Sequence, residues 1–325
     1  MANKSQCILI TGGTGFAGSH LTEALIKQGY SNIHLTAFRD EGGFLKELLG
    51  PGHIHSLDLT DHEKTSQLFK ELKPQQIYHL ASLANVGNSF KQKQFILETH
   101  LKLQLNVLEA MKKYTPQARL LSIGTALEYK NSEKALGENA PIGPSNPYAL
   151  SKMIQDYLSY SYTQAEKLDI VRARPFNHIG ERQALGFAVS DFASEIVKIE
   201  NKQSSVLKVG NLSAVRDLTD VKDMVQAYIL LMNKGVSTEV YNIGSGIGHS
   251  MQEILKILVD LAKAEIKLEI DPDRLRPVDR PVLICDNSKI KSLGWEINYP
   301  IETTLQRVLD WWRDQLKEER KKGKK

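Results

Sequence analysis

Tyr148 and Lys152 stand four residues apart, and on a helix that spacing puts both side chains on one face. A lysine ammonium beside a phenol favours the phenolate and lowers the tyrosine pKa toward working pH. Tyr148 then becomes a usable proton donor and acceptor. Upstream, the apolar run Leu120–Ile123 ends in Ser122-Ile123-Gly124-Thr125, and the Thr125 hydroxyl is placed to hydrogen-bond the same substrate oxygen. An ordinary solvated helix pair has the same spacing as Tyr148 and Lys152. What separates this pair is its position, at the start of a helix just beyond a strand.

A redox partner for such a pair has a place at the N-terminus. Cys7 to Ile10 is an apolar run short enough for a buried parallel strand. Glycines follow at 12, 15 and 18, then a helix-periodic run (Phe16, Leu21, Leu25, Ile26) closed by Gly29. Strand, glycine turn and helix in that order are the context of a dinucleotide fingerprint. Gly12 permits the tight turn, Gly15 lets the backbone approach a pyrophosphate, and Gly18 lets helix lie close on strand. The helix N-terminus faces the phosphates with unpaired N–H groups. After the second strand comes Phe38-Arg39-Asp40. An acid there suits a ribose 2′-OH and an arginine a 2′-phosphate, so Arg39 favours NADP while Asp40 keeps NAD open. Asp58-Leu59-Thr60-Asp61 can accept from an adenine amino group, or cap a helix through Thr60 or Asp61.

The elements that must hold these residues alternate. Strands are predicted at 33–38, 54–57, 77–80 and 120–123, with helices around 61–72 and 91–114. That alternation implies an α/β fold, a doubly wound parallel sheet of the Rossmann type. From about residue 175 the pattern becomes mixed and proline-punctuated. Residues 1–174 are therefore expected to form the NADP-binding domain, and 175–325 a smaller, partly interleaved α/β substrate lobe. The formal charge of +4 belongs to the tail 317–325, which holds six Lys/Arg and two Glu, so the basic balance does not point to nucleic acid. Cys7 and Cys285 give neither a metal spacing nor a disulfide framework. MANKSQ runs straight into the first strand and no apolar run is long enough for a membrane span, so a cytoplasmic protein with no membrane partner is expected.

TGGTGFAG, DLTD, HLAS, the Thr125 segment and the Tyr148/Lys152 pair together resemble the extended short-chain dehydrogenase/reductase family of nucleotide-sugar epimerases, dehydratases and reductases. Arg174 to Gly180, Val209-Gly210-Asn211-Leu212 with Val215-Arg216-Asp217, and Arg274-Leu275-Arg276-Pro277 resemble its GDP-mannose 4,6-dehydratase and GDP-4-keto-6-deoxymannose reductase branch. The resemblance implies a cofactor, NADP(H) with NAD possible, against Gly12, Thr14, Gly15, Phe16, Ala17, Gly18, Arg39, Asp58, Leu59, Leu80, Ala81, Ser82, Tyr148, Lys152 and Pro175. It places a GDP-sugar against Asn177, Val209, Asn211, Arg216 and Arg276, with the two arginines on the diphosphate. It also implies a homodimer, or a tetramer of dimers, through helices near 91–114 and 148–167. His178 reads better as a buried, satisfied histidine than as a catalytic one.

Departures from the family pattern bear on the reaction. Dehydratases of this family carry a carboxylate two residues after the threonine, where this chain has Leu127. Glu128 follows, and strand alternation would turn it from the Thr125 face. A C4 reductase needs only a hydride and the Tyr148 proton. The expected activity is an NADPH-dependent reductase of a GDP-4-keto-6-deoxy-hexose, ahead of a 4-epimerase with tightly held NAD and of a 4,6-dehydratase. His100, Leu103 and Lys130 replace the usual Asn, Gly and Gly.

Overall fold

In the computed structural model, residues 4–38, 42–83, 90–274 and 280–322 are described. Strand β1 (Ile8–Thr11) is buried on both faces, with Ile8 and Ile10 turned to one layer and Leu9 to the other. Helix α1 (Phe16–Lys27) returns the chain to β2 (Ile33–Ala37). A short helix not foreseen from the sequence, α2 (Phe44–Leu49), precedes β3 (Ile54–Ser56). Then come α3 (His62–Leu72), β4 (Gln76–His79), α4 (Lys93–Tyr114), β5 (Arg119–Ile123), α5 (Pro147–Glu166) and β6 (Asp169–Pro175).

These strands lie parallel in one seven-stranded sheet, and its seventh member comes from far along the chain. Counted in chain order, the sheet runs 10-6-5-4-1-2-3, the first being β10 (Val240–Ile243). Helix α7 (Val221–Lys234) packs with α1 on one face, where Met224, Tyr228 and Leu231 meet Ile8, Ile10, Leu21 and Leu25. On the other face α3, α4 and α5 cover Leu9, Ile77 and Leu120 with Phe69, Val107 and Met111. Helix starts follow local chemistry. Asp61 caps α3 by accepting from Lys64 N at 3.1 Å, and Asn146 caps α5 by accepting from Ala149 N at 2.8 Å, with Pro147 in the first turn.

Most of the remaining elements build a second lobe. They are β7 (Asn177–Ile179), α6 (Ala188–Glu200), β8 (Leu207–Val209), β9 (Val215–Asp220), β11 (Gly248–Ser250), α8 (Met251–Asp260), β12 (Leu268–Ile270), β13 (Val282–Leu283) and α10 (Ile301–Lys322), whereas α9 (Ser288–Ser292) packs on β10 and puts Ile290 in the core of the large sheet. β9 pairs with β7 and β13 in parallel and with β11 antiparallel, while β8 pairs with β12. A separate core of Ile196, Leu207, Ile254, Leu305 and Leu309 lies between α6, α8 and α10. Among the described residues no helix is long and apolar enough to cross a membrane.

Candidate active site

A cleft of about 1690 Å³ opens where β1, β4, β5 and β6 end, and the second lobe forms its far wall. Ligands of open α/β sheets bind at this edge. Gly12, Thr14, Gly15, Phe16, Ala17 and Gly18 line one end with Asp58, Leu59, Leu80, Ala81 and Ser82. Gly12 has a φ of +68°, and a Cβ there would fall 2.9 Å from Ala81 Cα. A Cβ on Gly18 would sit 2.4 Å from Gly12 O, so the helix lies on the turn with no room for a side chain. The start of α1 has neither a capping side chain nor an acid in its first turn, which leaves its N–H groups to an anion. This backbone cradle fits a dinucleotide pyrophosphate. Asp58 is exposed on the cleft and folds its carboxylate onto Thr60 N and Oγ1 at 2.9 and 2.8 Å, while Asp61 does the capping. Arg39 lies outside the described residues.

At the other end stand Thr125, Tyr148, Lys152 and Pro175. Strand β5 stops at Ile123, and Thr125 opens a single 3₁₀ turn, Ala126–Glu128. Alternation therefore is not what removes Glu128 from the cleft. The turn folds it inward, where it is fully buried and its Oε1 accepts the Thr125 N–H at 2.9 Å. Its Oε2 lies 3.1 Å from Arg174 Nε without hydrogen-bond alignment, and Arg174 makes its stronger contact to Asp156 at 2.5 Å. Burial, then the Asp156 charge, pushes the Glu128 carboxyl up to about 8. Leu127, beside it, faces the cleft.

Tyr148 and Lys152 share the first turns of α5 as expected, but the local electrostatics differ from the sequence reading. The phenol is pushed up to about 12, chiefly by burial and then by the Glu128 charge, and a hydrogen bond with Ser82 pulls the other way. Lys152 does not lower it here, because its ammonium is turned to Gln155 Oε1, 2.8 Å away. Burial brings Lys152 down to about 8 against the attraction of Glu128 and Asp156.

Along the second lobe, Asn177, Asn211 and Arg216 line the cleft, and Arg276 lies outside the described residues. Val209 does not face it. Its side chain is 1% exposed in the core of the lobe and its carbonyl accepts from Asp271 N, because β8 is an inward-packed strand. His178 stacks on Phe16 at 5.7 Å and contacts Phe176 O, and burial lowers its pKa, in keeping with a structural histidine. Two cleft arginines are not evident from sequence. Arg274 holds Glu195, and Arg280 gives its Nη2 to Leu127 O at 2.8 Å and Tyr129 O at 2.6 Å. Their signal is the arginine-rich run 274–280, in which the family resemblance marks only Arg276 for the diphosphate. Among the described residues no group of His, Cys, Asp and Glu is placed to hold a metal.

Fold and cleft together define a dinucleotide-dependent enzyme of the doubly wound α/β class. The chain matches the model of the family described as GDP-mannose 4,6 dehydratase over residues 9–308, and it belongs to that family. It is 29% identical over 320 residues to the GDP-6-deoxy-D-mannose reductase of Pseudomonas aeruginosa, covering 97% of this chain and all of that one. A solved structure of RMD from Pseudomonas aeruginosa complexed with NADPH superposes with a TM-score of 0.83 at 28% identity, over 96% of this chain and 100% of the other. The UDP-glucose 4-epimerase of Thermus thermophilus in complex with NAD gives a TM-score of 0.85 at 26% identity, over 95% and 99%.

Proposed function

We propose that the protein is an NADPH-dependent reductase that converts a GDP-4-keto-6-deoxy-hexose to the GDP-6-deoxy-hexose, the reaction that forms GDP-6-deoxy-D-mannose, also called GDP-rhamnose. The carrying observation is the state of the carboxylates near Thr125. Leu127 faces the cleft, and Glu128 is locked behind it by the Thr125 N–H and Arg174. The cleft-lining acids Asp58, Asp191 and Glu195 belong to the β3–α3 loop and to α6. Elimination of a C6 hydroxyl needs a carboxylate beside the hexose, whereas ketone reduction does not.

NADPH, when bound, supplies the hydride. Tyr148 gives its proton to the C4 oxygen, and Thr125 Oγ1, already accepting Leu127 N–H at 3.3 Å, keeps its own proton to orient that oxygen. Lys152 holds the nicotinamide ribose. Gly12 to Gly18 cradle the pyrophosphate, and Arg39 takes the 2′-phosphate. Asn177, Asn211, Arg216 and Arg276 take the GDP-sugar. The working unit is a cytoplasmic protein in which residues 1–174 hold the cofactor and 175–325 the sugar nucleotide, with α7 and β10 threaded back into the first part. Two copies pair through α4 and α5, whose Phe95, Leu101, Leu150, Tyr157 and Tyr160 are exposed.

A paired assay tests the reaction. Purified protein oxidises NADPH when given pre-formed GDP-4-keto-6-deoxymannose, and makes no 4-keto product from GDP-mannose with NADP⁺. Product in the second arm would overturn the reading, and stoichiometric NAD retained through gel filtration would favour an epimerase. Tyr148→Phe lowers kcat by roughly 10²- to 10⁴-fold, the size of a lost general acid.

A further inference from the structure

His100 lies on α4, wholly buried, and different atoms of it lead to each member of the Tyr148–Lys152 pair. Its ring packs edge-on to the Tyr148 ring, centroids 6.0 Å apart at 73°. Nδ1 lies 2.7 Å from Ser151 Oγ, whose own proton is given to Tyr148 O at 2.7 Å. The Ser151 oxygen can therefore only accept, which makes Nδ1 the protonated nitrogen. Nε2 is then bare and its lone pair takes the Leu83 N–H at 2.9 Å; Ser82 Oγ packs 3.1 Å from the same nitrogen, which leaves the single Ser82 proton for the phenol. Ser82 is also the hydroxyl that hydrogen-bonds the Tyr148 phenol. The His100 carbonyl accepts Gln155 Nε2 at 2.9 Å, and the other end of that amide takes Lys152 Nζ at 2.8 Å.

Both ends of the imidazole and the carbonyl of the same residue thus lead to the two groups that handle the proton. We propose that His100 is the positioning residue of the Tyr148–Lys152 pair: its ring aims the Ser82 hydroxyl at the phenol and pins the first turn of α5, while its carbonyl fixes the Gln155 amide that holds Lys152. The residue acts through Ser82, Ser151 and Gln155 and touches no substrate atom. Its ring must be neutral to do so, since a second ring proton would oppose the Leu83 N–H. Burial, with Lys152 and His79 alongside, lowers its pKa to about 3. The ring therefore keeps one tautomer throughout the working range.

The proposal rests on the reductase reading for its chemistry but not for its geometry, and the test has one arm for each. Imidazole ¹⁵N NMR of the wild-type chain shows a neutral His100 ring, protonated on Nδ1, unchanged between pH 8 and 5 and displaced in Ser82→Ala. A ring that titrates near 6.5, or carries its proton on Nε2, overturns the proposal. In the kinetic arm His100→Asn keeps an amide for Ser151 and loses the contact to Leu83 and Ser82. It lowers kcat roughly 10- to 100-fold while KM for NADPH changes less than about twofold. The alkaline limb of kcat/KM moves up by roughly half a pH unit or more as the phenol loses its donor. Ser82→Ala reproduces both effects, and the double variant adds nothing further. It also removes only a hydroxyl, so it carries the same test should His100→Asn fold poorly. Unchanged kcat with an unchanged limb in Ser82→Ala overturns the proposal. A wild-type chain inactive on the keto-sugar overturns the reductase reading alone, since the NMR arm needs no substrate.

Discussion

The two ends of the cleft are built on different principles. The nucleotide end is backbone: one contiguous turn, residues 12–18, with a strand before it, a helix after it and glycines where a Cβ would collide. The Tyr148 end is a side-chain assembly drawn from five separate segments. There Thr125, Glu128, Lys152, Asp156 and Arg174 meet with His79 and His100, all of them buried. A backbone cradle fails when an atom is added to it. A buried polar assembly fails when a partner is taken away, because the group left behind has given up its water.

That difference is sharpest at Glu128. Glu128→Ala removes the acceptor for Thr125 N–H and one of the two acids facing Arg174. Below about pH 8 the Glu128 carboxyl is largely protonated, so the main loss is the acceptor for the buried Thr125 N–H, which costs about 1–3 kcal/mol in urea unfolding. Glu128→Gln keeps an oxygen for Thr125 and behaves differently. The folded state raises Glu128 to about 8 from an ordinary 4.5, so between those values the native chain binds more protons than the unfolded one. Wild-type stability relative to Glu128→Gln is therefore full below about pH 4.5 and declines as pH rises toward 8. Melting curves at pH 5 and pH 8 read it directly: the Gln variant matches wild type at the first and equals or exceeds it at the second. A Gln variant that melts like Ala at both would mean that charge, not the cap, holds this end together.

Gly18→Ala probes the opposite end by addition. Its Cβ at 2.4 Å from Gly12 O must push helix and turn apart, an overpacking cost of about 1–3 kcal/mol. The same displacement weakens NADPH binding by at least about tenfold, which corresponds to about 1.4 kcal/mol. Fluorescence titration with NADPH measures the second effect and thermal melting the first. A Gly18→Ala chain that keeps its NADPH affinity would show that the cradle is not where the pyrophosphate sits.

The same contrast explains what could be read before the fold was known. The glycine turn, the parallel strands and the Tyr148/Lys152 face are local patterns, legible because period and spacing carry them. Ser82, Leu80 and Pro175 reach the cleft because strands end there. The pairing of β10 with β6 was hidden, since nothing near Val240 marks a return to the first sheet. Glu128 was read on the wrong premise because a capping box, Thr125 with Glu128, looks in sequence like the tail of a strand. Val209 enters the site only through the family resemblance, and a resemblance does not show that β8 turns this side chain into the core of the lobe. His100 was visible only as a departure, because its meaning lies in contacts 17, 51 and 55 residues away.

A third region separates burial from side-chain networking as the cause of fragility. On the β2–β3 edge, half-buried His34 stacks on His53 with ring centroids 4.9 Å apart, and its Nδ1 lies 3.1 Å from His55 Nε2. Nε2 meets Asn32 Oδ1 at 2.9 Å, so that nitrogen donates and Nδ1 is left to accept from His55. A second proton on His34 has no acceptor, and burial with its two histidine neighbours lowers the pKa from 6.5 to about 4. Between those values the unfolded chain binds more protons than the native one. The stability due to neutral His34 is thus present above about pH 6.5 and lost as pH falls toward 4. Wild type compared with His34→Gln should therefore lose its advantage between pH 7 and pH 5. The site is half exposed and screened, so the change should be no more than about 2 °C in Tm. A difference that large or smaller assigns the fragility of the Glu128 region to burial. A loss at His34 as great as that of Glu128→Ala would instead assign it to the density of interacting polar side chains, whether or not water reaches them.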